Sequence, residues 1–266
     1  MSLDNSPIAD YAAKASLAGT CAIVIGAGHG IGRQTAHALA QVGASVICVD
    51  LDRERAETVA HEVGGTAVVA DACERDGVAE ILAAAARSEH RLGTIVDIIG
   101  MATFGNLDEH TDEMWARSER VNLRHAVLTV ELGGAALAEA GGGTLVFVAS
   151  ISSTYGTQHH GAYGAHKAAL LSLVKTAAVE LGPKGIRVNA VAPGVIWTER
   201  MGTAIGEANR DVFAENTPTG RLGEPSDVAG VISFLATDLS SHVNGQAVLV
   251  DGGVGVRFPY PVDLLV

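Results

Sequence analysis

Aromatic side chains are scarce, at 4% of 266 residues, so the core of this chain cannot rest on stacked rings. Its apolar content, 48%, is aliphatic instead. Cysteine is nearly absent too. Cys21, Cys48 and Cys73 are odd in number and lie in or beside apolar runs, which excludes a disulfide framework and reads as reduced, buried small hydrophobes. No metal-ligand spacing links Cys to His, so no metal site is expected. No apolar run approaches the ~18 residues of a membrane span. The opening Met-Ser-Leu-Asp-Asn-Ser-Pro-Ile-Ala-Asp carries two acids and no apolar stretch, unlike a signal peptide. A soluble, cytoplasmic protein is the expectation. Positive charge is in deficit, 18 Lys and Arg against 30 Asp and Glu, a net −12. That argues against nucleic acid or an anionic membrane as main partner. It leaves a small anionic ligand open, because such a ligand answers to local charge.

Glycine, by contrast, is plentiful at 32 residues. Glycine with aliphatic residues suits a buried parallel sheet joined by tight turns. Short apolar runs (Cys21–Ile25, Ser45–Val49, Ala67–Ala70, Ile95–Ile99, Thr144–Ala149, Arg187–Val191, Ala247–Val250) alternate with longer helical stretches (Gly32–Val42, Arg53–Val63, Glu74–Ser88, Thr111–Ala140, Ala162–Leu181, Pro225–Ala236). The alternation predicts α/β architecture: one domain with a doubly wound parallel sheet of about seven strands and helices on both faces. The 111–140 stretch is expected to break at Gly133-Gly134. Residues 1–18 form an N-terminal extension, 19–253 the domain and 254–266 a tail. The segment 195–224 interrupts the rhythm after strand six, where long insertions shape substrate pockets. The apolar tail is expected to pack on its own pocket or on a neighbouring subunit.

Gly26-Ala-Gly-His-Gly-Ile-Gly32 follows the first strand and opens a helix. Gly26 permits a sharp turn, Gly30 a close approach of backbone to pyrophosphate, and Gly32 close helix–sheet contact. The helix N-terminus then offers unpaired N–H groups to phosphates. The spacing is G-x-x-x-G-x-G rather than G-x-G-x-x-G, and glycine turns also occur for purely structural reasons. Asp50 closes strand two, where a carboxylate accepts hydrogen bonds from a ribose; the strand–loop–helix–strand–Asp unit points to a dinucleotide. Asp71, at the end of strand three, suits either the adenine edge or a helix cap.

Tyr163 and Lys167 stand four apart, one turn on the same helix face, and Ser150 precedes the tyrosine by thirteen residues. A phenol beside an ammonium has a reason to ionise, and a hydroxyl from a strand end can share a substrate oxygen with it. A free tyrosine titrates near 10, so work at neutral pH needs a fall of about 3 pH units, ~4 kcal/mol. An ammonium about 4.5 Å away supplies nearly 4 kcal/mol at an effective dielectric near 20. A cofactor loop followed by Ser, Tyr and Lys points to an oxidoreductase.

These pieces, with Asn122 in Arg-Val-Asn-Leu, Pro193-Gly194, Arg221-Leu-Gly-Glu-Pro-Ser-Asp-Val-Ala229 and Asp251-Gly252-Gly253, resemble the short-chain dehydrogenase/reductases over roughly residues 17–253. The resemblance implies a Rossmann fold and gives Tyr163 the role of general acid/base, with Ser150 orienting the substrate oxygen. Lys167 would hold the nicotinamide ribose and lower the tyrosine pKa, and Asn122 would kink its helix and anchor a relay water. Pro193, Gly194 and Thr198 would flank the nicotinamide. The implied cofactor set is Gly26, Gly28, His29, Gly30, Ile31, Gly32, Asp50, Leu51, Asp71, Ala72, Gly100, Tyr163, Lys167, Pro193, Gly194, Ile196 and Thr198. NAD is expected over NADP, because Asp50 repels a 2′-phosphate and the positions that carry a base in NADP-preferring relatives hold His29 and Leu51. Arg53 and Arg55 are read as solvated residues of the following helix.

Two departures stand out. Asn-Asn-Ala-Gly after strand four is replaced by Ile-Ile-Gly-Met-Ala-Thr (98–103), which removes the usual asparagine support of the sheet. His166 stands where a serine is usual and is expected to face away from the site. His159 and His160 suit a pocket or surface role, and Trp197 a pocket wall, core or subunit contact. The reading is an NAD-dependent oxidoreductase that interconverts a secondary alcohol and a ketone, with a 3-oxoacyl-thioester ketoreductase as alternative. A catalytically silent NAD-binding scaffold is disfavoured by the intact Tyr163 and Lys167. Family members usually pair the helices after strands four and five between subunits, which implies a homotetramer.

Overall fold

In the computed structural model, which describes residues 6–256, seven strands form one parallel sheet. They are β1 (Thr20–Ile25), β2 (Ser45–Asp50), β3 (Thr66–Val69), β4 (Arg91–Asp97), β5 (Gly143–Val148), β6 (Ile186–Pro193) and β7 (Ala247–Val250), in the order β3-β2-β1-β4-β5-β6-β7. The order reverses between β1 and β4, so a crevice opens at the carboxyl ends of these two strands. The doubly wound Rossmann architecture read from the sequence is the one observed.

The helices are α1 (Tyr11–Lys14), α2 (Gly30–Gln41), α3 (Arg53–Val63), α4 (Arg75–Ala86), α5 (112–139), α6 (Gly161–Leu181), α7 (Glu199–Ile205), α8 (Arg210–Glu215) and α9 (Pro225–Ala236). Side-chain alternation along each strand decides which helices cover which face. In β1, Cys21, Ile23 and Ile25 join a core with residues of α4, α5 and α6, while Ala22 and Val24 join a second with α2, α3 and α9. Each fully buried side chain such as Leu170 or Ile232 contributes on the order of 1.5–3 kcal/mol. The three cysteines are buried and unpaired, as their apolar settings suggested.

The expected break at Gly133-Gly134 does not occur. Both glycines have helical dihedrals, and α5 runs on through π-helical turns at Arg120–Arg124 and Thr129–Gly133. Close packing explains the pair. A Cβ on Gly133 would stand 2.8 Å from Ile95 Cδ1, and one on Gly134 2.9 Å from Leu181 Cδ1. The glycines let α5 lie flat on β4 and α6. The 195–224 segment holds α7 and α8, and of the tail only the short turn Val254–Val256 falls within the described residues. The packing expected of the tail beyond it lies outside them.

Candidate active site

Two adjoining cavities open at the carboxyl ends of the strands. The first, ≈ 530 Å³, is lined by Gly26, His29, Gly30, Ile31 and Gly32 of the glycine loop, by Asp50 and Leu51 after β2, and by Asp71 and Ala72 after β3. The second, ≈ 300 Å³, is lined by Ser150, Tyr163, Lys167, Pro193, Gly194 and Ile196. Ile31, Gly100, Met101, Thr198 and Arg200 line both, so the two are continuous. A larger cavity, ≈ 640 Å³, lies at the amino ends of the strands, and none of the expected site residues reaches it.

The glycine loop is built to the limit of space. Gly26 and Gly30 have φ of +86° and +55°, and a Cβ on Gly32 would meet the Gly26 carbonyl at 1.9 Å. Gly28, like Ala27, does not line the first cavity; its N–H donates to Asp50 Oδ2 at 2.9 Å, and a Cβ there would strike that carboxylate. Asp50 Oδ1 accepts from the Asp52 amide at 3.0 Å. Each carboxylate oxygen thus keeps a free lone pair for a hydroxyl. Burial, with the Arg55 charge, pushes the His29 imidazole down, so this residue at the mouth of α2 is neutral. The cradle, the open helix N-terminus and the carboxylate fit a dinucleotide.

Arg53 and Arg55 are both exposed in the first turn of α3, as read: Arg53 pairs with Glu57 at 3.2 Å and Arg55 with Asp52 at 3.7 Å, while Arg55 also lines the first cavity. Packing brings it there, since its Cβ lies 2.7 Å from where a Gly28 Cβ would be. Asp71 caps no helix. It accepts from Cys73 N at 2.9 Å and pairs with Arg120 at 2.7 Å, which hold its carboxyl low against its burial.

At the other end, Ser150 lies two residues past β5 and its Oγ accepts from Ser152 N at 3.1 Å. Tyr163 is carried by the first turn of α6. Its phenol is pushed up by burial, while the Ser150 hydroxyl and the Arg200 charge act to lower it. The expectation of a phenol lowered by Lys167 is therefore not met. The lysine is turned beneath the pocket, where Nζ donates to Val148 O at 2.8 Å and Ile99 O at 3.0 Å. Burial pulls its pKa down to about 8. One ammonium hydrogen remains for a further acceptor.

Asn122 is fully buried in the first π turn of α5. Its Oδ1 accepts from Met101 N at 2.9 Å, and its Nδ2 donates to Met101 O at 3.0 Å and to Ser118 Oγ at 3.3 Å. The widened turn lets the amide reach sideways to the segment after β4. The His160 ring stands edge-on to Tyr163 with centroids 5.4 Å apart, and its Nδ1 lies 2.8 Å from Ser152 Oγ. His159 has the strained φ of +65°. His166 turns from the pocket to Ser118 Oγ at 3.0 Å. Trp197 lies under Arg210, 5.0 Å from its guanidinium, and does not line the reaction cavity. Among the described residues no His, Cys, Asp and Glu cluster could hold a metal.

Asp97 and Arg200 had no sequence signal that singled them out. Asp97 ends β4 and takes over support there: Oδ1 accepts from Ile99 N at 3.2 Å, and Oδ2 meets His125 Nδ1 at 2.7 Å and Thr129 Oγ1 at 3.2 Å. Arg200, in the first turn of α7, lines both cavities.

A family model described as enoyl-(acyl carrier protein) reductase matches residues 26–255. The L-rhamnose 1-dehydrogenase (NAD(P)(+)) of Azotobacter vinelandii is 38% identical over 88% of this chain and 96% of its own length. The chain belongs to the short-chain dehydrogenase/reductases. The 3-oxoacyl-[acyl-carrier-protein] reductase FabG of Thermotoga maritima is 33% identical over 90% of this chain and 98% of its own. A solved 7α-hydroxysteroid dehydrogenase, complexed with NADH and 7-oxo glycochenodeoxycholic acid, superposes with a TM-score of 0.87 at 29% identity, covering 92% of this chain and 98% of that one. As a short-chain dehydrogenase/reductase the protein is an NAD(P)-dependent oxidoreductase that interconverts an alcohol and a carbonyl by hydride transfer. No helix among the described residues is long and apolar enough to cross a membrane.

Proposed function

We propose that the protein oxidises a secondary alcohol to a ketone, and the reverse, with Tyr163 as general acid/base. The observation that carries this reading is the continuity of the two cavities: the glycine cradle and Asp50 at one end, Ser150, Tyr163 and Lys167 at the other. The nicotinamide, when bound, accepts or supplies the hydride. Ser150 Oγ and Tyr163 Oη hold the substrate oxygen. In oxidation the Tyr163 phenolate takes the hydroxyl proton; in reduction the phenol returns it to the carbonyl oxygen. Lys167 would hold a ribose hydroxyl with its remaining hydrogen, and the positive charge of an oxidised nicotinamide would act against the burial that raises the phenol. Asn122 keeps the Met101 turn in place through its paired hydrogen bonds.

Gly26, Gly30 and Gly32 bring backbone against the pyrophosphate, and Asp50 accepts from the adenosine ribose. Pro193, Gly194, Ile196 and Thr198 flank the nicotinamide. Residues 19–253 form the catalytic domain and 195–224 its substrate lid. Exposed Val179 on α6 and half-exposed Trp115 on α5 lie on the helices that would pair in a homotetramer. The cytoplasm is the expected compartment. The likeness to FabG supports a second reading, a 3-oxoacyl-thioester ketoreductase. A panel of secondary alcohols, ketones and 3-oxoacyl thioesters, assayed with NAD(H) and NADP(H), separates the two. Turnover of thioesters alone would favour the second, and turnover of none despite NADH binding would contradict both.

A further inference from the structure

Asp97 is buried to 1% exposure beneath the reaction cavity, on the strand next to the one that leads to Ser150. A carboxylate so placed needs partners. It has three: the Ile99 amide, Thr129 Oγ1, and His125 Nδ1 at 2.7 Å. His125 is equally buried, and its Nε2 has no hydrogen-bond partner. A protonated His125 would carry a buried, unpaired N–H on a cation. The neutral tautomer, with Nδ1–H donating to Asp97 and Nε2 bare, leaves only an unpaired acceptor and costs much less. The Asp97–His125 pair therefore carries one net negative charge.

The balancing charge lies on α6. Lys167 is likewise 1% exposed, with no carboxylate in hydrogen-bond contact, and its Nζ donates to the carbonyl of Ile99, the residue whose amide Asp97 holds. We propose that Asp97 is a positioning residue for Lys167: with neutral His125 behind it, its carboxylate fixes Ile99 and serves as the counter-charge of the buried ammonium across that residue. This deepens, and rests on, the role given to Lys167 above. The neighbourhood is otherwise short of charge. From the turn after β3, Cys73 faces Asp97 with its thiol pushed up to about 12, hence uncharged, and donates to Arg120 O. From α5 come His125, Thr129 and Asn122, none of them charged. From α6 comes the raised, neutral Tyr163, and Arg200 faces that tyrosine from α7. Burial lowers Lys167 and the Asp97 charge acts against it, as a counter-ion should.

The test needs no substrate. A lysine whose folded pKa lies below its unfolded value gains stability as pH rises through the folded value. The unfolding midpoint of the wild type, relative to K167M, should therefore climb from about pH 8 upward. The D97N variant keeps the acceptor for Ile99 N but removes the charge. Relative to D97N/K167M, its climb should begin about one pH unit lower, the small end of the shift from an opposite charge nearby. A climb at the same pH in both backgrounds would overturn the proposal. Should the double variant fail to fold, H125Q decides. If His125 is neutral the lysine titration stays put relative to K167M; a rise of a unit or more would mean His125 is a cation and the pair bears no net charge. Because these readouts come from the protein alone, failure to find any alcohol substrate would refute the proposed function without touching this result.

Discussion

Gly100 and Lys167 are in contact so close that a Cβ on the glycine would stand 2.7 Å from Nζ and 3.0 Å from Cε. The same atom would come within 3.3 Å of Asn122 Oδ1. The glycine is therefore the space in which the lysine end and the Asn122 amide meet. Replacing Gly100 by Ala should displace Lys167 and cut turnover at least about tenfold, ~1.4 kcal/mol at the barrier. Circular dichroism should stay native, because the strand positions around it are unaffected. Wild-type kcat in a folded G100A protein would show that the contact is slack.

Cofactor choice should fall to NAD(H) by roughly a hundredfold in kcat/KM over NADP(H). One uncompensated repulsion between Asp50 and a 2′-phosphate, about 2–3 kcal/mol, accounts for it. The placement of Arg55 on the same cavity sets the competing attraction. Measured on one substrate, equal ratios or a preference for NADP would show that Arg55 outweighs Asp50.

The pH dependence follows from the raised phenol. A group held in its neutral form by burial gives up its proton only as pH rises, so alcohol oxidation should speed up with increasing pH and ketone reduction should slow. Initial rates from pH 6 to 10 in both directions check the sign. Oxidation that falls across this range would mean that Tyr163 is not the base.

Association is expected at micromolar concentration. Val179 is 76% exposed on α6, a helix otherwise rich in buried aliphatic residues, and α5 lies beside it. Light scattering should return the mass of four chains. The mass of one chain would leave these helix faces bare and contradict the assembly.

Much of this was legible in the residues because it is local. The strand runs were placed to within a few residues, and β7 in full, because apolar segments bounded by glycine and charge have few other uses. Tyr163 and Lys167 share a face because helix geometry requires it. The misreadings came from long-range packing. Gly133 and Gly134 look like a breaker pair, and only the nearness of Ile95 and Leu181 shows why small residues are needed there. Asp97 had no local mark that set it apart, since its partners Ile99, His125 and Thr129 come together only when α5 lies on β4. Arg55 reaches the cofactor cavity from the first turn of α3, where it stays exposed beside Asp52 and packs its Cβ near Gly28. The phenol pKa went the other way because burial, which depends on the whole fold, outweighed a charge judged by spacing alone.

Proton transfer passes through one oxygen atom of the proposed site, Tyr163 Oη. With a substrate found in the alcohol panel, Tyr163→Phe should lower kcat by at least ~10²-fold, the low end for general acid/base catalysis, while NADH fluorescence titration gives an affinity close to wild type. A variant that keeps more than a tenth of the wild-type rate would contradict the assignment.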